Sequence, residues 1–148
     1  MKTISKLAFS VIAACVASTA SAQFAKPEDA IKYRKAVFTV QGAAMGAMGA
    51  MNAGRVPFNA ASMQANANVV ATMSALPWAA FGPGTEGGRA KSEIWSDAAG
   101  FKSAIDRFQA AAANFDTVAK AGNPDAIKTA FGALGASCKN CHDSYQAK

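Results

Sequence analysis

Histidine occurs once in this chain, at His142, and cysteine only three times, at Cys15, Cys138 and Cys141. So small a set leaves little room for a structural zinc site, which needs four such ligands. Charge is scarce as well. Only 16% of residues are charged, and the net charge of +6 is dispersed. No run of Lys and Arg exists, which argues against nucleic acid as a partner. No apolar stretch is long enough to span a bilayer. Strand alternation and internal repeats are also missing. What remains is an alanine-rich chain, 51% hydrophobic, with a mean hydropathy of +0.10. That composition suits tightly packed helices and not disorder. Its length of 148 residues allows one domain with a sizeable core.

The N-terminus, "MKTISKLAFSVIAACVASTASAQF", places Lys2 and Lys6 ahead of an apolar stretch from Leu7 to Val16. It closes on Ala20-Ser21-Ala22, a small-residue cleavage site. We expect a secretory signal over residues 1–22 and a mature domain over residues 23–148. "IAAC", ending at Cys15, resembles a lipoprotein processing site, but Ala22 is the better boundary because a polar, helix-starting sequence follows it. Cleavage removes Lys2, Lys6 and Cys15, so 13 basic and 9 acidic residues remain, a net +4. The product is expected in a bacterial periplasm, without a membrane anchor. An unprotected Cys-x-x-Cys pair tends to oxidise there, so something should occupy it.

Four helices are expected. The first opens at "KPEDAIKYRKAVFTV", with Pro27 in the first turn and Glu28 and Asp29 at the positive end of the dipole. Ile31, Arg34, Phe38 and Met45 share one face at steps of three, four and seven. Gly54 and Pro57 end this helix. The second starts at the N-cap Asn59 and stops before Pro77, with Met63, Val70 and Met73 as its stripe. "PWAAFGPGTEGGRAKSEIW" reads as an ordered loop, since Trp78, Phe81 and Trp95 are costly to leave in water. The third helix runs from about Ser96 to Lys120, with Phe101, Ile105, Phe108, Ala112 and Phe115 inward, and Gly122 closes it. Asn123 and Pro124 start the fourth, which carries Ile127, Phe131 and Leu134. The fold class is all-α, an antiparallel four-helix bundle.

The fourth helix ends on "CKNCHDSYQ". Cys-x-x-Cys-His is the attachment signature of a c-type haem. On a helix, Cys138, Cys141 and His142 stand at i, i+3 and i+4 and share one face. Two thiols there can add to the two vinyl groups along one edge of a porphyrin, and the imidazole can reach the iron. A thioredoxin-like pair wants a strand-to-helix setting that this chain lacks. A zinc site has too few ligands once Cys15 is gone. A disulfide beside an incidental histidine is the alternative that the residues leave open. Almost nothing follows His142, so a second iron ligand has to come from upstream in the bundle. Met45, Met48, Met51, Met63 and Met73 are the sulfur donors available, although methionine in an alanine-rich bundle usually fills space.

Taken together, "QFAKPEDAIKYRKAVF", "LPWAAFGPGTEGG", "SEIWSDAAGFK" and "FGALGASCKNCHDSY" closely resemble the cytochrome c′ family, over essentially the whole mature chain. The resemblance implies one covalent haem c per chain, with high-spin, five-coordinate iron and His142 as proximal ligand. It places Phe38 on the distal side, where it offers no donor atom and crowds an incoming gas. It matches Arg34, Lys35 and Arg89 to haem-contacting positions. Spacing favours Arg34 as a propionate partner, one turn before Phe38. Trp78, Phe81 and Phe101 either line the haem or fill the core. Gln146 stands where many members carry a basic residue near the proximal imidazole.

The function implied is binding of nitric oxide and carbon monoxide, with electron transfer to an unidentified redox partner as the competing role, in a respiratory or photosynthetic chain. An enzyme such as a peroxidase is disfavoured, because no distal His or Arg is identifiable for acid–base help. "QGAAMGAMGAM" makes the end of the first helix small-sided and apolar, which together with the family's habit predicts a homodimer.

Overall fold

A computed structural model describes residues 24–148, so the signal expected over residues 1–22 lies outside the described residues. Among the described residues five α-helices follow one another: α1 (Pro27–Asn52), α2 (Ala60–Met73), a short α3 (Glu93–Ser96), α4 (Ala98–Ala121) and α5 (Pro124–Tyr145). The four long ones form an antiparallel bundle. In it α1 packs on α2, α2 on α4 and α4 on α5. Among the described residues the only β pairing is a bridge between Ala90 and Gln146.

The helix ends follow from local chemistry. Asn59 caps α2 by accepting from the Ser62 N–H at 2.8 Å, and Asn123 caps α5 by accepting from the Ala126 N–H at 2.9 Å. Pro27 and Pro124 sit in first turns. Gly122 ends α4 in the left-handed conformation at φ 76°. The helix expected from about Ser96 is interrupted at Asp97, where the backbone leaves helical geometry. There the side chain turns into the cap of α4, accepting from the Gly100 N–H at 3.0 Å.

The main core is built from Ala44, Met48, Met51, Met63, Ala67, Val70, Phe108, Ala112, Phe115, Ala119, Ile127, Ala130 and Leu134. Three of the five candidate methionines, Met48, Met51 and Met63, are buried there as packing. The face that α1 gives the bundle is Ala30, Arg34, Val37, Gln41, Ala44, Met48 and Met51. Of the four residues that share a face by spacing, only Arg34 belongs to it, and Ile31, Phe38 and Met45 do not. Those residues lie beside it and line a cavity. At the far end α1 and α5 meet, with Gly49 against the Phe131 ring. Gly49 therefore serves packing within one chain, whereas Gly42 and Gly46 face open space.

The segment between α2 and α4 is ordered, as expected, but is not a plain loop. It contains a 3₁₀ turn, Trp78–Phe81, as well as α3. Trp78 sits 5.9–6.3 Å from the rings of Phe38, Phe81, Phe101 and Phe108. Its indole N–H donates to the Ser74 carbonyl. Edge-to-face pairs at such distances add roughly 0.5–1.5 kcal/mol each beyond burial.

Candidate functional site

A cavity of about 380 Å³ lies between the first half of α1 and the last turns of α5, closed on the other sides by α4 and the segment after α2. The residues singled out from the sequence meet in it. Cys138, Cys141 and His142 line it from α5, Arg34, Lys35 and Phe38 from α1, and Arg89 from the connecting segment. They are separated by up to 108 positions in sequence, and the antiparallel course of α1 and α5 brings them together.

Cys138 and Cys141 are free and half-buried. Burial pushes both thiols above their ordinary range; Ser137 partly offsets this at Cys138, and Arg107 at Cys141. A redox-active pair needs the opposite, a thiol lowered toward the thiolate. His142 is exposed at the cavity edge. Its own turn is pinned at the backbone, since its carbonyl accepts from the Gln146 N–H at 3.0 Å.

The end of α5 is tied to the connecting segment. The Lys91 N–H donates to the Tyr145 carbonyl at 3.1 Å, and the Ala147 N–H to the Arg89 carbonyl at 2.8 Å. Arg89 Nε also donates to the Ala147 carbonyl, at 2.9 Å. Tyr145 donates its hydroxyl to Asp97 at 2.9 Å. Burial, then Asp97, pushes that phenol above its ordinary value, so it stays a neutral donor. These ties fix the turn that carries Cys141 and His142.

Arg34 departs from expectation in its contacts. It lines the cavity but is only 3% exposed. Its Nη1 donates to the carbonyls of Ala80 and Thr85, both at 2.8 Å, and its Nη2 to the carbonyl of Gly87 at 2.9 Å. The guanidinium also lies 4.4 Å from the centre of the Phe81 ring. Burial pulls its pKa below the ordinary value, opposed by Glu86. Its fork is thus committed to holding the connecting segment on α1, and spacing along the helix gave no sign of that. Beside it, Gly87 adopts φ 140°, and a Cβ there would stand 3.1 Å from Ile31. Only glycine lets the segment come this close. Lys35 and Arg89 keep exposed charges at the cavity rim.

Phe38 is 37% exposed and faces the cavity, with Trp78 and Phe81 behind it. Of the methionines that the sequence offered as ligands, Met45 alone lines the cavity. Gln41, Tyr145 and Ser137 also line it, and the sequence reading passed over all three. For Gln41 a signal existed: it is seven residues from both Arg34 and Met48, on the buried face, in an otherwise apolar stretch.

The cavity wall is largely apolar. It offers two free thiols and an imidazole on one side, and on the other a stretch of α1 in which Met45 is the one methionine that lines the cavity. That donor set fits a haem bound through thioether links, and the fold and site define the class: a helical-bundle protein of the c-type haem kind. Comparison with known proteins narrows this. The Cytochrome C' family matches residues 29–146, and the chain belongs to that family. It is 52% identical over 126 residues to cytochrome c' of Alcaligenes xylosoxydans xylosoxydans, covering 85% of this chain and 99% of that one. Among solved structures it is similar to the nitric oxide complex of a leucine-to-alanine mutant of cytochrome c prime from Alcaligenes xylosoxidans. There the TM-score is 0.81, the identity 52%, and the coverage 85% of this chain and 99% of that one. It is equally similar to a carbon monoxide-bound leucine-to-glycine variant of the same protein, at TM-score 0.81 and 52% identity, covering 85% of this chain and 100% of that one.

Proposed function

We propose that Cys138 and Cys141 would hold one haem c by covalent links, that His142 would bind its iron, and that the bound group would take nitric oxide or carbon monoxide. One arrangement carries this reading: the attachment triad lines one wall of the cavity and Phe38, which has no donor atom, lines the other. The haem, when bound, supplies the iron for diatomic ligands. The side chains do the rest. Cys138 and Cys141 hold the group to one helix, and the Tyr145–Asp97 and Arg89–Ala147 ties keep that helix end in place. Lys35 and Arg89, exposed at the rim, would balance the propionate charges, and Arg34, engaged with three carbonyls, would share that role less. From α1 the cavity is lined by Phe38, Gly42 and Met45, with Gln41 beside them and Lys35 at the rim; none is a histidine or a carboxylate, so we read the site as ligand-binding and not catalytic. With the leader of residues 1–22, the place of action is the periplasm. Electron transfer is the second reading, supported by the exposed cations at the rim.

Acid–acetone extraction of the purified protein should leave the haem on the chain, and its ferrous spectrum should show a broad Soret band that changes on adding nitric oxide. Haem released free would refute covalent attachment. Sharp, split α/β bands without a response to nitric oxide would mean ligation by Met45 and an electron carrier.

We also propose that the chain dimerises through α1 and α2. Gly46 faces open space outside the cavity, and Val40 on the same helix is 45% exposed, which leaves α1 a small-sided apolar outer surface. Sedimentation at micromolar concentration should give a dimer, and Val40→Lys should shift it toward monomer. A monomer throughout the concentration series would rule the dimer out.

A further inference from the structure

Gln41 carries polarity that nothing in the reading above uses. It lies three residues past Phe38 on α1 and lines the same cavity. It is only 6% exposed, and its Nε2 makes no hydrogen bond. A buried N–H without an acceptor is unfavourable, so buried amides are nearly always paired. Of the residues that line this part of the cavity with it, Phe38, Gly42 and Val70 carry no side-chain acceptor and Met45 only a weak thioether. Asp116 Oδ1 is the other buried side-chain atom without a partner among the described residues, but the second oxygen of that carboxylate is bound by Lys120, and Asp116 does not line the cavity. The acceptor for Gln41 therefore has to come from what the cavity takes up. Nε2 is closed off from water where it stands. The terminal torsion of a glutamine is broad and two-fold, so a turn about it presents the N–H to the cavity.

We infer that Gln41 donates a hydrogen bond to the ligand bound on the α1 side of the iron, and thereby selects ligands that carry negative charge. This rests on the gas-binding reading above. An anion on ferric iron gains most from such a donor. Carbon monoxide, nearly nonpolar, gains least in affinity, but its stretching frequency reports the donor directly. A hydrogen bond to its oxygen strengthens back-donation from iron and lowers the C–O stretch.

The test uses the holoprotein and Gln41→Met, which keeps length and volume, with Gln41→Leu as a second variant. Fluoride binding to the ferric form should weaken about fivefold in both variants, the worth of one ordinary hydrogen bond. The C–O stretch of the ferrous carbon monoxide complex should move to higher wavenumber. Thermal stability should hold or rise, since an unpaired polar group has been removed. Unchanged fluoride affinity and an unchanged C–O stretch would overturn the inference. So would a shift in midpoint potential alone, which would mean that Gln41 pairs with a propionate. A parent protein that binds neither fluoride nor carbon monoxide would overturn the gas-binding reading itself, and this inference with it.

Discussion

Replacing Arg34 with methionine is expected to destabilise the fold by about 3–5 kcal/mol, the combined effect of orphaned carbonyls and a lost cation–π contact. The side chain satisfies the carbonyls of Ala80, Thr85 and Gly87 from inside the structure and covers the Phe81 ring. Methionine fills similar space and donates nothing. For a domain of this size the melting temperature should fall by about 10–20 °C. Arg34→Lys separates a clamp from a mere charge. One ammonium replaces a planar fork, so Lys should recover only part of the loss. Urea unfolding of the three proteins measures this. A lysine variant as stable as the parent would mean that the charge alone matters and that the carbonyl geometry does not. Because guanidinium stays protonated across the accessible range, the clamp itself should not weaken with pH.

That clamp is also where sequence reasoning reached its limit. The partners of Arg34 lie 46 to 53 positions away, and periodicity within a helix carries no information about them. The attachment triad was legible because its geometry is local: three residues within five positions on one helix. Helix ends were legible for the same reason, through Asn59, Gly122, Asn123 and Pro124, each acting on its own turn. What each face of α1 packs against was not legible, because alanine and glycine make that helix weakly sided. It also has two apolar stripes, one against the bundle and one against the cavity. A period of 3.6 residues identifies an apolar stripe but not what it faces. Ile31, Phe38 and Met45 belong to the cavity stripe, and Val37, Ala44, Met48 and Met51 to the core stripe. The glycines of α1 posed the same problem: Gly42 lines the cavity, Gly46 faces open space, and Gly49 receives Phe131.

Phe38→Ala should bind carbon monoxide at least tenfold faster or tighter than the parent, with the iron five-coordinate before the gas arrives; about 1.4 kcal/mol of relieved crowding is enough. The ring is not a core residue turned away from the cavity. It is 37% exposed, lines the cavity, and touches Trp78 at 5.9 Å and Phe81 at 6.4 Å between ring centres. Removing it therefore costs less stability than truncating a buried phenylalanine, which is typically about 3–5 kcal/mol. What it forfeits is chiefly two aromatic contacts, edge-on with Trp78 and tilted with Phe81, each roughly 0.5–1.5 kcal/mol. A ligand entering on the α1 side has to share space with this ring or displace it, and that displacement is the barrier that alanine removes. Phe38→Leu, smaller but still apolar, should fall between parent and alanine. Stopped-flow binding and equilibrium titration on the three proteins decide the matter. Equal rate and equilibrium constants across the series would show that Phe38 lines the cavity without restricting the iron. A graded rise from phenylalanine through leucine to alanine ties the rate to side-chain volume at this one position.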